Sequence, residues 1–224
     1  MKVKIFIIFF ICLFSAIGNK NILLGYEYKK FPILSEKRSN LTKDYVKKHY
    51  GLEDIRIVGP YMIVVHYTAS STIKETLQIF KADELQSSRK DIIKGGLLNV
   101  GVHYVIDTNG DTWSLLPADI IGRHTIGFNH VSVGIELVAE NADKITRLQL
   151  ESCTKLVAEL SKENNKIKYL IGHYEYMQRN LPHFSLFREL DESYKFTKKS
   201  DPGKIFMGLL RSELKKNFNI ELLP

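Results

Sequence analysis

The chain has 224 residues, 44% apolar and 25% charged, the balance of a folded globular chain and not of a disordered or fibrous one. That length suits one domain with a sizeable core. A net charge of +7, with no run of five or six like charges, argues against a nucleic-acid tail and leaves a diffuse positive surface suited to an anionic polymer.

Lys2 and Lys4 precede the apolar run Ile5 to Phe14, and Ser15, Ala16 and Gly18 follow. This is the layout of a secretory signal peptide over residues 1–18, with cleavage before Asn19. The run falls short of the roughly 20 residues that span a bilayer; an uncleaved N-terminal anchor is the rival reading. Either way the rest of the protein is expected to be exported, to a periplasmic or extracellular location. Cleavage removes Cys12 and leaves Cys153, so no internal disulfide is expected. Cys153 falls on the apolar face of a helix and reads as a small buried hydrophobe.

Residues 19–60 read as a polar N-terminal extension with one short helix, capped by Thr42 and stopped at Gly51. Residues 61–224 read as the main domain. Met62 to Tyr67 is a buried strand. Thr72 and Glu75 form a capping box before a helix carrying Ile73, Leu77, Phe80 and Leu85. Beyond Gly95-Gly96, Val102 to Asp107 alternates as a strand, and Asn109-Gly110 predicts a type I′ hairpin returning as Thr112 to Leu116. A loop over 117–131 leads to the strand Ser132 to Val138. Thr146 and Gln149 make a second capping box, opening a helix striped by Leu148, Cys153, Leu156, Val157 and Leu160. Lys168 to Ile171 is a short strand with His173 just past its end. A polar stretch then reaches Asp201-Pro202-Gly203, which opens a last helix with Ile205, Leu209, Leu210 and Leu214. The mixture predicts an α/β fold: a single central mixed β-sheet flanked by helices, with ligands bound at strand ends.

Three residues stand out chemically: His66, His173 and Asp201. Singly, each has a structural explanation. A strand histidine can bond a neighbouring carbonyl, and Asp-Pro is an ordinary helix N-cap with Pro at N1. Together, two imidazoles and a carboxylate are the ligands of a hydrolytic zinc site that keeps its fourth position for water.

Six segments in order carry a family resemblance: Val64-Val65-His66-Tyr67-Thr68-Ala69, His103 to Gly110, Gly122-Arg123-His124, Phe128 to Glu136, Ile171-Gly172-His173, and Lys199-Ser200-Asp201-Pro202-Gly203. Over roughly residues 60 to 210 the chain resembles the type-2 N-acetylmuramoyl-L-alanine amidases, whose fold is shared with peptidoglycan recognition proteins and phage lysozyme-type amidases. The resemblance implies one zinc ion held by His66, His173 and Asp201. It implies peptidoglycan or a muropeptide as partner, cut at the amide between the lactyl group of N-acetylmuramic acid and L-alanine of the stem peptide. No nucleic acid is expected as partner, and no membrane span once the leader is cleaved.

Glu136 matches the family's catalytic glutamate and suits a general base, being the one charged group in Val-Gly-Ile-Glu-Leu-Val. An ion-paired strand carboxylate is the alternative. The catalytic tyrosine of some members corresponds to Val102, which disfavours that variant. Lys199 matches a lysine that stabilises the oxyanion, with plain solvent exposure as the alternative. His124 and Asn129 match the substrate-cleft loop and are expected to bind substrate. Arg123 is expected either to meet a stem-peptide carboxylate or to lie solvated.

One departure concerns spacing. His173 and Asp201 are separated by an insertion at about 175–197 containing His183, a rival ligand; Asp201 is preferred because its flanks match. The insertion is expected to form a loop or short helix at the cleft rim. His49, His103 and His130 read as structural or surface residues. A non-catalytic peptidoglycan-binding module on the same fold is the competing function. A zinc peptidase of other specificity is a third, though the His-Glu-x-x-His motif is missing.

Overall fold

Five of the six residues of β2 (Met62–Tyr67) are buried, as an Ile-Val-Val run covered on both faces should be. It pairs in parallel with β5 (Ser132–Leu137) on one side and β6 (Tyr169–Gly172) on the other. β3 (Tyr104–Ile106) extends the sheet parallel to β5 and pairs antiparallel with β4 (Thr112–Ser114). The short β1 (Lys29–Lys30) closes the edge, giving the order β1-β4-β3-β5-β2-β6. This computed structural model describes residues 27–224, so the leader expected over residues 1–18 lies outside the described residues.

The β3–β4 hairpin is not type I′, which needs positive φ at both central positions. Gly110 has φ 88°, but Asn109 stays at negative φ. The Gly110 N–H instead donates to the Asp107 carbonyl, and Asn109 Oδ1 accepts from the Asp111 N–H. The side chain of Asn109 thus closes the turn forward, leaving the left-handed conformation to the glycine alone.

Helix α1 (Glu36–Tyr50) begins well before Thr42, because Ser35 caps it by accepting from the Arg38 N–H. Thr42 is a buried mid-helix residue donating to the Arg38 carbonyl. Gly51, at φ 61°, ends the helix as expected. Tyr45, Val46 and Tyr50 join the same core as Met62 to Val65. Helix α1 of the expected extension therefore packs into the same core as the sheet.

Thr72 caps α2 (Ile73–Lys81), which ends before Leu85. α3 (Arg147–Glu163) carries the complete Thr146–Gln149 capping box. Its stripe is buried except for Leu148, which is half exposed. α4 (Lys204–Phe218) starts after Gly203 and not at Asp201. Its buried face is Phe206, Met207, Leu210 and Leu214, whereas Ile205 and Leu209 are exposed. Both sets have helical spacing, and packing against α3 and β6 selects between them.

Along β5 the side chains alternate. Val133, Ile135 and Leu137 enter the core shared with α3 and α4, while Ser132, Gly134 and Glu136 turn to the opposite face. Val105 of β3, in register with Glu136, lies with Leu77 and Phe80 of α2 in a second, smaller core. Among the described residues no helix is long and apolar enough to cross a membrane.

Candidate metal centre

His66 stands near the end of β2, enclosed on a buried strand, so its ring has little freedom. His173 follows the last residue of β6 and opens a single helical turn, His173–Glu175. That turn is built by Glu175, whose carboxylate accepts from the Gly172 N–H at 2.8 Å and from Arg211 of α4 at 2.7 Å. Asp201 sits just before α4, and its carbonyl accepts from the Tyr174 N–H. Gly172 makes the approach possible. A Cβ there would lie 2.7 Å from the Tyr174 ring, 2.9 Å from Met207 and 3.0 Å from Pro202, forcing apart the segments that carry His173 and Asp201.

These three elements bring His66, His173 and Asp201 together. His66 Nδ1 and His173 Nδ1 are 2.9 Å apart, His173 Nδ1 and Asp201 Oδ2 3.1 Å, and His66 Nδ1 and Asp201 Oδ2 3.3 Å. All three residues are buried. Metal bonds of about 2.0–2.1 Å at tetrahedral angles put neighbouring donor atoms about 3.3 Å apart, so the triangle fits one face of a zinc site. Its donor chemistry, two imidazoles and a carboxylate, fits as well.

The electrostatics are those of ligands kept free of protons. Burial, then the nearness of His66, pushes the His173 pKa down to about 4. Burial alone would raise the Asp201 carboxyl, but its hydrogen bonds with His173 and His66 outweigh that and hold it well below the usual carboxylate range.

Glu136 lies beside the triangle. Its pKa is raised well above the ordinary value, first by burial and then by the charge of Asp201, with Lys199 and Arg89 opposing. Its Oε2 is buried without a hydrogen-bond partner. A carboxylate oxygen left this way in an apolar strand is costly and awaits a group the chain does not supply. A cleft of about 340 Å³ opens over these residues, walled by Ile79 and Phe80 of α2, by Val102, and by Tyr194, Thr197 and Lys199 from the far side.

The remaining sequence candidates fare differently. Arg123 is 2% exposed, and its guanidinium donates to the carbonyls of Ile92, Gly96 and Leu98 and to the Tyr194 hydroxyl. It lines the cleft but is not solvated, and with these N–H groups already engaged it ties the 92–98 loop to the cleft wall. Asn129 is equally committed. Its Oδ1 accepts from the His124 and Thr125 N–H groups, and its Nδ2 donates to the Tyr45 hydroxyl. His124 reaches the centre, but towards His66, with Nδ1 3.2 Å from His66 Nε2.

His183 stands outside the ligand triangle, fully buried with its ring 5.5 Å from that of Phe128. The insertion is more than a rim loop. Glu189 Oε1 is 2.7 Å from His49 Nδ1, the Arg188 N–H donates to the Gly127 carbonyl, and Tyr194 and Thr197 wall the cleft. His49 and His103 are both fully buried. Glu175, Arg211, Thr125 and Tyr194 went unread in the sequence. Only Glu175 left a signal, standing three residues after Gly172 as a capping-box acid would.

A family model described as N-acetylmuramoyl-L-alanine amidase matches residues 40–204. The endolysin of Klebsiella phage KP32 is 30% identical over 103 residues, covering 42% of this chain and 65% of that protein. The endolysin of Escherichia phage T7 is 32% identical over 100 residues, with the same coverages of 42% and 65%. The chain thus spans a little under two thirds of the length of these curated relatives. Among solved structures, a selenomethionine derivative of AmpD is 18% identical with a TM-score of 0.54, covering 83% of this chain and 93% of that one, and shares the fold.

Proposed function

The chain belongs to the N-acetylmuramoyl-L-alanine amidase family, and from that premise we propose that it is an exported, zinc-dependent amidase of peptidoglycan. The bond cut is the amide between the lactyl group of N-acetylmuramic acid and L-alanine of the stem peptide. The observation that carries this reading is the triangle of His66, His173 and Asp201 beside a buried, unpartnered carboxylate oxygen of Glu136. When bound, zinc would supply positive charge that polarises the scissile carbonyl and makes water ionise near neutrality.

The chain's own groups do the rest. Glu136 takes the proton of the attacking water and passes it to the departing amine, so that the amine leaves neutral. Burial favours the protonated carboxyl that hands the proton to the amine, while Lys199 and Arg89 oppose the shift and favour the carboxylate that first accepts it. Lys199 opposes the negative charge that grows on the carbonyl oxygen, a contribution of roughly 3 kcal/mol where water is excluded. Ile79, Phe80 and Val102 make that wall apolar. Export is supported by the leader layout of Lys2, Lys4 and the run Ile5 to Phe14.

The test is digestion of purified sacculi with the metal content of the protein measured alongside. Release of stem peptides with a free L-alanine amino terminus, abolished by a chelator and restored by zinc, is the expected result. Bound zinc without release would favour the wall-binding module instead. Release that survives complete removal of metal would end the zinc reading.

A further inference from the structure

His66 has a second ring nitrogen that the ligand triangle does not use. Its Nε2 lies 3.2 Å from His124 Nδ1 and 3.5 Å from Thr125 Oγ1, and that hydroxyl is itself 2.9 Å from His124 Nδ1. On the far side of the His124 ring, Nε2 lies 3.5 Å from Ser132 Oγ, whose hydroxyl donates to the Phe128 carbonyl at 2.9 Å.

The protons in this chain can be counted. Ser132 has one hydroxyl hydrogen, given to Phe128, so towards His124 its oxygen can only accept. His124 Nε2 therefore carries a hydrogen. A neutral imidazole has only one N–H, which leaves His124 Nδ1 as an acceptor. That nitrogen has one lone pair, which either the Thr125 hydroxyl at 2.9 Å or His66 Nε2–H at 3.2 Å can fill; a bare His66 Nε2 would set a second lone pair against it, so His66 Nε2 carries the hydrogen. His66 Nδ1 is then left with its lone pair, aimed at His173 and Asp201.

We propose that His124 is a positioning residue that holds His66 in the tautomer presenting Nδ1 to the metal, with Ser132 setting the tautomer of His124. The proposal rests on the reading of His66, His173 and Asp201 as metal ligands. The surroundings are shaped for it. A Cβ at Gly134 would stand 2.9 Å from Cγ and Cδ2 of the His124 ring and 3.0 Å from Cε1, so the glycine leaves the space the ring occupies. Asn129 grips the backbone N–H groups of both His124 and Thr125, fixing the loop from which the ring projects. Both nitrogens are engaged inside the protein, so His124 lines the cleft with its ring and no free ring nitrogen.

Groups that orient a metal-binding histidine typically change metal affinity 10–100-fold when removed. The experiment is a titration with zinc alone, in competition with a chelator at pH 7, of the wild-type chain, His124→Ala and Asp201→Ala, with thermal midpoints recorded metal-free. A 10–100-fold loss in His124→Ala, without a matching fall in the metal-free midpoint, is expected. If the wild type takes up no zinc, the ligand reading fails and this proposal with it. If the wild type binds and Asp201→Ala loses zinc while His124→Ala keeps full affinity, the proposal alone is overturned. Should His124→Ala not fold, imidazole ¹⁵N shifts of the wild-type zinc form decide: a protonated Nε2 and bare Nδ1 on His124 support the proposal, and the opposite tautomer overturns it.

Discussion

Glu136 stands directly opposite His66 in the parallel register of β5 and β2. Register partners on neighbouring strands project from the same face of a sheet, so one backbone pairing delivers a candidate metal ligand and a candidate base to the same cleft. The sheet, and not a mobile loop, sets their separation.

This pairing makes Glu136→Gln informative. The substitution should leave zinc binding intact and lower kcat by about 10²–10⁴-fold, the usual contribution of a general base. Because burial raises the Glu136 pKa, the folded metal-free protein holds that proton more tightly than the unfolded chain does. The stability this gives is complete below the ordinary carboxylate range and is lost as pH rises. With chelator present at pH 8, Glu136→Gln should therefore melt no lower than wild type. Unchanged turnover on sacculi would remove Glu136 from the mechanism.

The third ligand is tested by contrast. Asp201→Ala should greatly weaken zinc retention, because it removes one corner of a triangle with edges near 3 Å. His183→Ala should retain zinc but lose roughly 2–5 kcal/mol of stability, the range for emptying a filled core position, since its ring is fully buried against Phe128. Metal analysis giving the reverse order would reassign the ligand.

Acid should loosen the metal-free protein through His103. Its Nδ1 accepts from the Gly134 N–H and its Nε2 donates to the Ile120 carbonyl, both at 2.8 Å. Burial lowers its pKa from 6.5 to about 4. Between these values the unfolded chain binds the proton and the folded one does not. Stability from this residue is thus full above pH 6.5 and falls as pH drops towards 4, by about 1.4 kcal/mol per pH unit. Urea unfolding across that window should show the fall, and His103→Gln should reduce its slope by about 1.4 kcal/mol per pH unit, the remainder coming from His130 and His173, which burial also lowers to about 4. An equal slope in the variant would clear His103 of the effect.

The insertion offers a fourth test. Glu189 Oε1 meets His49 Nδ1 at 2.7 Å, with side-chain exposures of 6% and 0%. Glu189→Ala should cost about 3 kcal/mol, as removal of one partner of a buried pair does, and should raise KM by loosening the wall that carries Tyr194. Asp111→Ala, which breaks an exposed pair with Lys29, should cost less than about 1 kcal/mol. Equal midpoints for the two variants would show that the insertion is not held this way.

What could be read from the residues was local or periodic. The buried run Met62 to Tyr67, the capping box at Thr146 and Gln149 and the stop at Gly51 depend on neighbours within a few positions, so their physics is written in the chain. The family segments also marked His66, His173 and Asp201 before any contact between them was known. Other features depend on which groups meet across the fold. Arg123 and Asn129 do line the cleft, but the carbonyls of Ile92, Gly96 and Leu98 and the hydroxyls of Tyr194 and Tyr45 that engage their nitrogens come from segments distant in sequence. The buried face of α4 was likewise open until α3 and β6 packed against it. His124 shows the division most clearly: a motif places the residue near the cleft, but a ring with two inequivalent nitrogens takes its role from the acceptor on one side and the donor on the other, and both are supplied only by the folded neighbours.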